Sequence, residues 1–230
     1  MNRNLSVLQP IAVAGQHSRL FCVEAADRAG KTTLCDNLTR YLPDAHGLEV
    51  RIFREPGGSP RAEQIRAILK SEAGMALPVE EQVKLFYEAR ADLLRTTLLP
   101  WLEASPKRIA ILDRYFWSTI VYQGFFRNAN LAGLAEITSR VCQGAIPRRT
   151  YFLDIDPEVA HARVTALGAD ADVDPNDLLA IEGKRRLRDG YAALLARFPE
   201  LITRIEANQT REALMHQVGD DIAALVRTAH

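Results

Sequence analysis

The run Leu20–Thr33 (LFCVEAADRAGKTT) constrains the fold more than any other part of the chain. An apolar strand candidate, Leu20–Glu24, passes through a short turn into a segment of helical composition, Lys31–Leu42, which is expected to stop before Pro43. A strand that feeds directly into a helix pairs economically only with parallel neighbours reached by crossover. The rest of the chain repeats this grammar. Glu49–Arg54, Arg108–Asp113, Thr150–Ile155 and Leu201–Ile205 read as further strands. Between them, Arg61–Lys70, Glu80–Leu102, Phe116–Phe125, Leu131–Cys142, a helix opening at Pro157, Leu178–Phe198 and Thr210–Arg227 read as helices. In Glu80–Leu102, Val83, Phe86, Tyr87, Leu94, Leu98 and Trp101 recur near the helical period. The expected fold is α/β: a mainly parallel central sheet of about five strands with helices on both faces.

The turn after the first strand follows the phosphate-loop pattern G-x-x-x-x-G-K-[ST], with Ala25 in the first glycine position and Gly30-Lys31-Thr32 completing it. Ala25, Ala26, Asp27, Arg28, Ala29, Gly30, Lys31, Thr32 and Thr33 are therefore the candidate nucleotide-phosphate site. Backbone N–H groups and the helix start would cradle phosphate oxygens. Lys31 would neutralise the β- and γ-oxygens, and the Thr32 hydroxyl would ligate Mg²⁺. Alanine at position 25 is costly if a positive φ is needed there and nearly harmless if only a small side chain is needed. The plainer alternative is a chance AGKT at a strand–helix turn.

Two more motifs follow strands. Arg54-Glu55-Pro56-Gly57-Gly58 comes after the second, and Asp113-Arg114-Tyr115 after the third. Open parallel sheets bind ligands outside the carboxyl ends of their strands, so all three motifs are expected on one edge. Two arginines and a lysine converging there suit a pair of phosphorylated substrates. Singly, REPGG reads equally as a simple turn and DRY as a strand-ending ion pair.

Composition limits the partners. Lysine and arginine balance aspartate and glutamate at 29 each, so no global charge favours nucleic acid or an anionic membrane. No apolar run is long enough to span a bilayer. Cys22, Cys35 and Cys142 have neither metal spacing nor a CxxC pair, as expected of reduced thiols in a cytoplasmic protein. Residues 1–18 read as a flexible N-terminal arm and 19–230 as a single domain, with residues 168–177 as a polar, turn-rich loop.

Five stretches together resemble the thymidylate kinase family: VEAADRAGKTT, REPGG, LFYEAR (Leu85–Arg90), LDRYFWSTIVYQG (Leu112–Gly124) and YFLDIDPEVAHAR (Tyr151–Arg163). They stand in the family's order across roughly residues 19–227. The resemblance implies transfer of the γ-phosphoryl of ATP to dTMP, with Mg²⁺, in a homodimer. It implies that Phe86 stacks on the base and Arg90 hydrogen-bonds a thymine carbonyl. Both lie on one helix face at i and i+4, although core packing for Phe86 and a solvated charge for Arg90 fit the periodicity too. It gives Asp27 to the sugar 3′-hydroxyl, Arg54 and Arg114 to the acceptor phosphate, and Asp113 to the metal and transferred group. It places Tyr122 where a ribose 2′-hydroxyl is rejected, Ser118, Thr119 and Gln123 along the acceptor pocket, and Arg163 against the donor adenine.

Within the family a transition-state arginine sits either in the phosphate loop or in the lid. Here residues 168–177 (GADADVDPND) carry no basic residue, so Arg28 is the expected one. Lys184, Arg185, Arg186 and Arg188, on the following helix, read as a solvated basic face or as a reserve for the phosphates. Two other functions remain open from sequence. The acceptor could be another deoxynucleoside or modified pyrimidine monophosphate. The chain could also be a nucleotide-binding regulator without turnover, a reading prompted by Ala25 and the acidic lid.

Overall fold

The computed structural model describes residues 4–26, 29–166 and 179–228. In chain order its first elements are α1 (Gln9–Ala12), β1 (Gln16–Ala25), α2 (Lys31–His46), β2 (Glu49–Arg54), α3 (Pro60–Lys70), α4 (Glu72–Met75), α5 (Val79–Leu93) and α6 (Leu99–Glu103). There follow β3 (Arg108–Asp113), α7 (Phe116–Thr119), α8 (Leu131–Val141), β4 (Ile146–Asp154), α9 (Pro157–Thr165), α10 (Ile181–Arg197), β5 (Ile202–Glu206) and α11 (Arg211–Arg227). The five strands form one sheet in the order β2-β3-β1-β4-β5, and every pairing is parallel.

Alternation along β1 explains why both faces of the sheet are covered. Leu20 and Cys22 point to one side, where Phe53, Leu112, Phe116, Trp117, Tyr191 and Phe198 form an aromatic-rich core. Phe21, Val23 and Ala25 point to the other, against Leu34, Leu38 and Leu42 of α2 and Val218 and Ile222 of α11. Each fully buried leucine or phenylalanine contributes about 1.5–3 kcal/mol, so these two layers are the main source of stability. Helices α2 and α11 approach closely because position 219 is glycine; a Cβ there would stand 2.6 Å from the Tyr41 ring.

Several expectations need correction. Residues 5–12 are not a flexible arm. Leu5–Leu8 forms a 3-10 turn that leads into α1, and Leu8 and Ile11 are fully buried against the aromatic-rich core. Two apolar residues three apart suffice to dock a helical turn, a signal too short to register as periodicity. Helix α2 does not stop at Pro43. It continues to His46 and ends at Gly47, whose left-handed φ of 66° caps it. The long Glu80–Leu102 helix is one helical path with a π-helical stretch at Leu94–Leu98, just before Pro100, whose missing N–H breaks the α pattern. Phe116–Phe125 likewise passes from α7 into a π-helical stretch, Ile120–Phe126. Strand β1 begins four residues before the apolar run, at Gln16, because its first half is an exposed polar edge. The lid expected at residues 168–177 lies outside the described residues.

Candidate active site

The sheet order places β2 and β3 on one side of β1 and β4 and β5 on the other, so the order in which strands are added reverses beside β1 while all of them stay parallel. Such a switch point opens a crevice at the carboxyl ends of the strands. The register makes the motifs level there: Arg54 pairs with Asp113, and Asp113 with Val23. A cavity of about 1240 Å³ occupies this edge and touches all three motifs.

On its β4–β5 side the cavity is bounded by Gly30, Lys31, Thr32 and Thr33 at the start of α2, by Arg163 of α9, and by Ala207, Gln209, Thr210, Arg211 and Leu214 around the start of α11. Gly30 has φ 87° and no side chain with which to cap α2, which leaves the first N–H groups of the helix for an anion. Ala25 resolves the question raised by the sequence. It is the last residue of β1, fully buried and paired with Leu153, so its backbone is extended and glycine is not required. It does not line the cavity; its carbonyl accepts a hydrogen bond from Arg114 Nη1 at 2.9 Å. Ala26 and Ala29 do line it. Asp27 and Arg28 fall outside the described residues. Lys31 Nζ is paired with Asp113 Oδ1, and the two side chains are only 11% and 7% exposed.

On the β2–β3 side the cavity is lined by Arg54, Phe86, Arg90, Arg114, Tyr122 and Gln123, with Ser118 and Thr119 beside them. Arg90 is 2% exposed. Its Nε and Nη2 donate to Glu55 Oε2 at 2.9 and 2.8 Å, and Nη2 reaches Thr119 Oγ1 at 3.2 Å. The rings of Tyr87 and Tyr115 hold the guanidinium between them, at 4.6 and 5.1 Å. Nη1 has no protein partner, which suits a guanidinium waiting for a carbonyl oxygen. Burial pushes the Glu55 carboxyl up to about 7, while the neighbouring Arg90 pulls in the opposite direction. Burial alone would lower Arg90, but Glu55 outweighs it and keeps the guanidinium charged. Arg114 adopts a left-handed φ of 69° and lies over the Tyr122 ring at 5.4 Å.

Sequence reasoning missed several residues here. Glu55 stood inside a recognised motif, yet its partnership with Arg90 needed the fold. Arg66, also on the cavity wall, donates to the Pro56 carbonyl. The loop Ala207-Asn208-Gln209-Thr210, after the last strand, supplies part of the β4–β5 wall, and its place at a strand's carboxyl end was the available signal. The basic stretch Lys184–Arg188 is not at the cavity. Arg185 pairs with Glu158, Arg188 with Asp154, and Arg186 donates to the Phe126 carbonyl, while Lys184 is buried. The thiols offer no nucleophile: burial raises Cys22, Cys35 and Cys142, the last two to about 12.

Residues 23–218 match the family model described as thymidylate kinase. The chain belongs to the thymidylate kinase family. It is 35% identical over 212 residues to the thymidylate kinase of Chlorobaculum parvum, covering 90% of this chain and 96% of that protein. It is 33% identical to the thymidylate kinase of Levilactobacillus brevis, over 84% of this chain and 89% of its relative. The fold matches the crystal structure of thymidylate kinase from Ehrlichia chaffeensis with a TM-score of 0.68 over 90% of this chain, at 24% identity. Family membership makes the chain an ATP-dependent nucleoside monophosphate kinase, and no helix among the described residues is long and apolar enough to cross a membrane.

Proposed function

We propose that this chain transfers the γ-phosphoryl group of ATP to dTMP, with ATP seated on the β4–β5 side of the cavity and dTMP on the β2–β3 side. The observation that carries the reading is the single cavity joining the phosphate-loop helix to the buried Arg90–Glu55 pair. Phosphoryl transfer asks mainly for positioning and charge neutralisation. Lys31 neutralises the donor β- and γ-oxygens, and Arg28 supplies the transition-state cation in the same loop. Arg54 and Arg114 hold the acceptor phosphate. Asp27 holds the sugar 3′-hydroxyl, and Tyr122 closes the space a 2′-hydroxyl would need. Phe86 stacks on the base, the orphan Nη1 of Arg90 donates to its carbonyl, and Thr119 and Gln123 line the rim. Arg163 and the Ala207–Thr210 loop bound the adenine.

Thr32 and Asp113 are hard oxygen donors on one wall, and among the described residues no cluster of three His, Cys, Asp or Glu residues could hold a metal alone. That set fits a Mg²⁺ delivered with ATP, which supplies charge neutralisation at the donor phosphates. A cytoplasmic location and a homodimer belong to the same proposal. The apolar sides of Leu85–Leu102 and Phe116–Phe125 are largely spent on the chain's own core, with Leu98, Phe116, Ile120 and Val121 fully buried, so a dimer needs other surface. Light scattering reads the oligomeric state.

The decisive assay is ADP release from ATP·Mg²⁺ across a panel of nucleoside monophosphates, with Lys31→Ala as control. Fast turnover of dTMP, slower of dUMP and none of ribonucleotides is expected. Preference for a different acceptor would reassign the β2–β3 side. ATP binding without any acceptor turnover would leave only a nucleotide-binding protein.

A further inference from the structure

Glu24 ends the apolar run LFCVE and is fully buried, yet no chemistry was assigned to it. A buried carboxylate is tolerated only with donors on its lone pairs. Here four N–H and O–H donors are present, with the Cys22 thiol at 4.0 Å besides. Oε1 accepts from the Tyr115 N–H at 2.9 Å and the Ser118 N–H at 3.1 Å. Oε2 accepts from Ser118 Oγ at 2.6 Å and the Tyr191 hydroxyl at 2.9 Å.

The two N–H groups identify what this carboxylate does. Helix α7 starts at Phe116, its N-cap is Tyr115, and no side chain of its own caps it. In an ordinary helix start the N-cap side chain would accept from the third helical N–H. Glu24 does so from a different strand, and adds the N–H of the cap residue itself. The residue just before the cap is Arg114, in its left-handed conformation, with its N–H bonded to the Val23 carbonyl at 3.1 Å. Its Nη1 donates to Ala25 O at 2.9 Å and to Ser118 Oγ at 3.2 Å, so one hydroxyl touches both Glu24 and Arg114.

We propose that Glu24 is a positioning residue, acting through Ser118 and the Tyr115 backbone to fix Arg114 where the acceptor phosphate is held. This rests on the assignment of Arg114 to the acceptor phosphate. It sets this buried carboxylate, one residue before the end of β1, beneath the acceptor clamp. The base-reading pair Arg90–Glu55 has no hydrogen bond to Glu24, so the phosphate and the base should respond differently to its loss.

The test compares calorimetric titrations of dTMP and thymidine, which lacks the phosphate, in wild type and Glu24→Gln. Loss of a charge-assisted anchor should weaken dTMP by about tenfold and leave thymidine within about twofold. A merely structural glutamate would weaken both alike, and that result, or no change in either, overturns the proposal. In the background of Arg114→Lys, Glu24→Gln should weaken dTMP by no more than about twofold further, because both changes act on one clamp. A full additional loss contradicts it. Should Glu24→Gln not unfold cooperatively, Ser118→Ala cuts the same link and must show the same split between the two ligands. If Arg114→Lys alone leaves dTMP affinity unchanged, Arg114 is not in the acceptor clamp and this proposal falls with it, while wild-type turnover of dTMP tests the function separately.

Discussion

The two sides of the cavity are built differently. The β4–β5 side, proposed for the donor, offers a helix start, a lysine and a loop, and Arg163, Gln209, Thr210 and Arg211 are exposed. On the β2–β3 side, proposed for the acceptor, Arg54 is exposed, but Arg90, Thr119, Tyr122 and Gln123 are buried and two arginines are held: Arg90 by Glu55, Thr119 and two tyrosine rings, and Arg114 by Ala25 O and Ser118. The contrast follows from what each side must recognise. Phosphates can be held by backbone N–H groups, which tolerate changes of side chain. A pyrimidine must be distinguished from its neighbours by placed polar groups, and those discriminate only if they are fixed and otherwise satisfied.

This contrast can be broken by substitution. The largest effect is expected at the donor side, where charge develops. Arg28→Ala should lower kcat by about 10²–10³, with acceptor KM little changed, in a steady-state ADP assay. A fall of less than threefold would sink the loop-arginine assignment. The acceptor side should show a different signature, loss of stability. Arg90→Met leaves Glu55 buried without its partner and should cost about 3–5 kcal/mol in urea unfolding at pH 8. A change below about 1 kcal/mol would mean the pair is not buried as described.

A smaller effect concerns pH. Glu55 sits near 7, so it takes up a proton as pH falls from 8 to 6 and loosens its ionic hold on Arg90. Thymidine affinity should fall about threefold or more over that range in wild type and stay flat in Glu55→Gln. Thymidine is the right probe because the phosphate of dTMP titrates in the same window. A flat wild-type profile would show that Glu55 does not titrate there. The smallest effect is at position 25. Ala25→Gly should leave kcat within about twofold and lower stability by about 0.5–1 kcal/mol, since it puts glycine inside a strand. A marked gain in kcat would show that alanine does limit the loop.

The strands, their parallel order and the three motif positions were legible because apolar runs and strand-end motifs are local signals. Ala25 was ambiguous in sequence because its cost depends on φ, and only the pairing with Leu153 shows it to be extended. Leu8 and Ile11 were missed because their partners are remote in sequence. Glu24 and Glu55 were missed for a related reason. A charged residue beside an apolar strand looks like a strand end, and its role appears only when donors from distant segments converge on it. Of the two readings open for Arg185 and Arg188, a solvated basic face or a reserve for the phosphates, the fold supports the first: both lie away from the cavity and pair with carboxylates, of Glu158 and Asp154.

The central claim is that one cavity holds both substrates, on opposite sides of β1. It is tested most directly with an adenosine and a thymidine joined through a polyphosphate chain. Competition with both ATP and dTMP, and tighter binding than either substrate alone, is the expected result. Competition with only one of them would mean that the two sides are not a single continuous site.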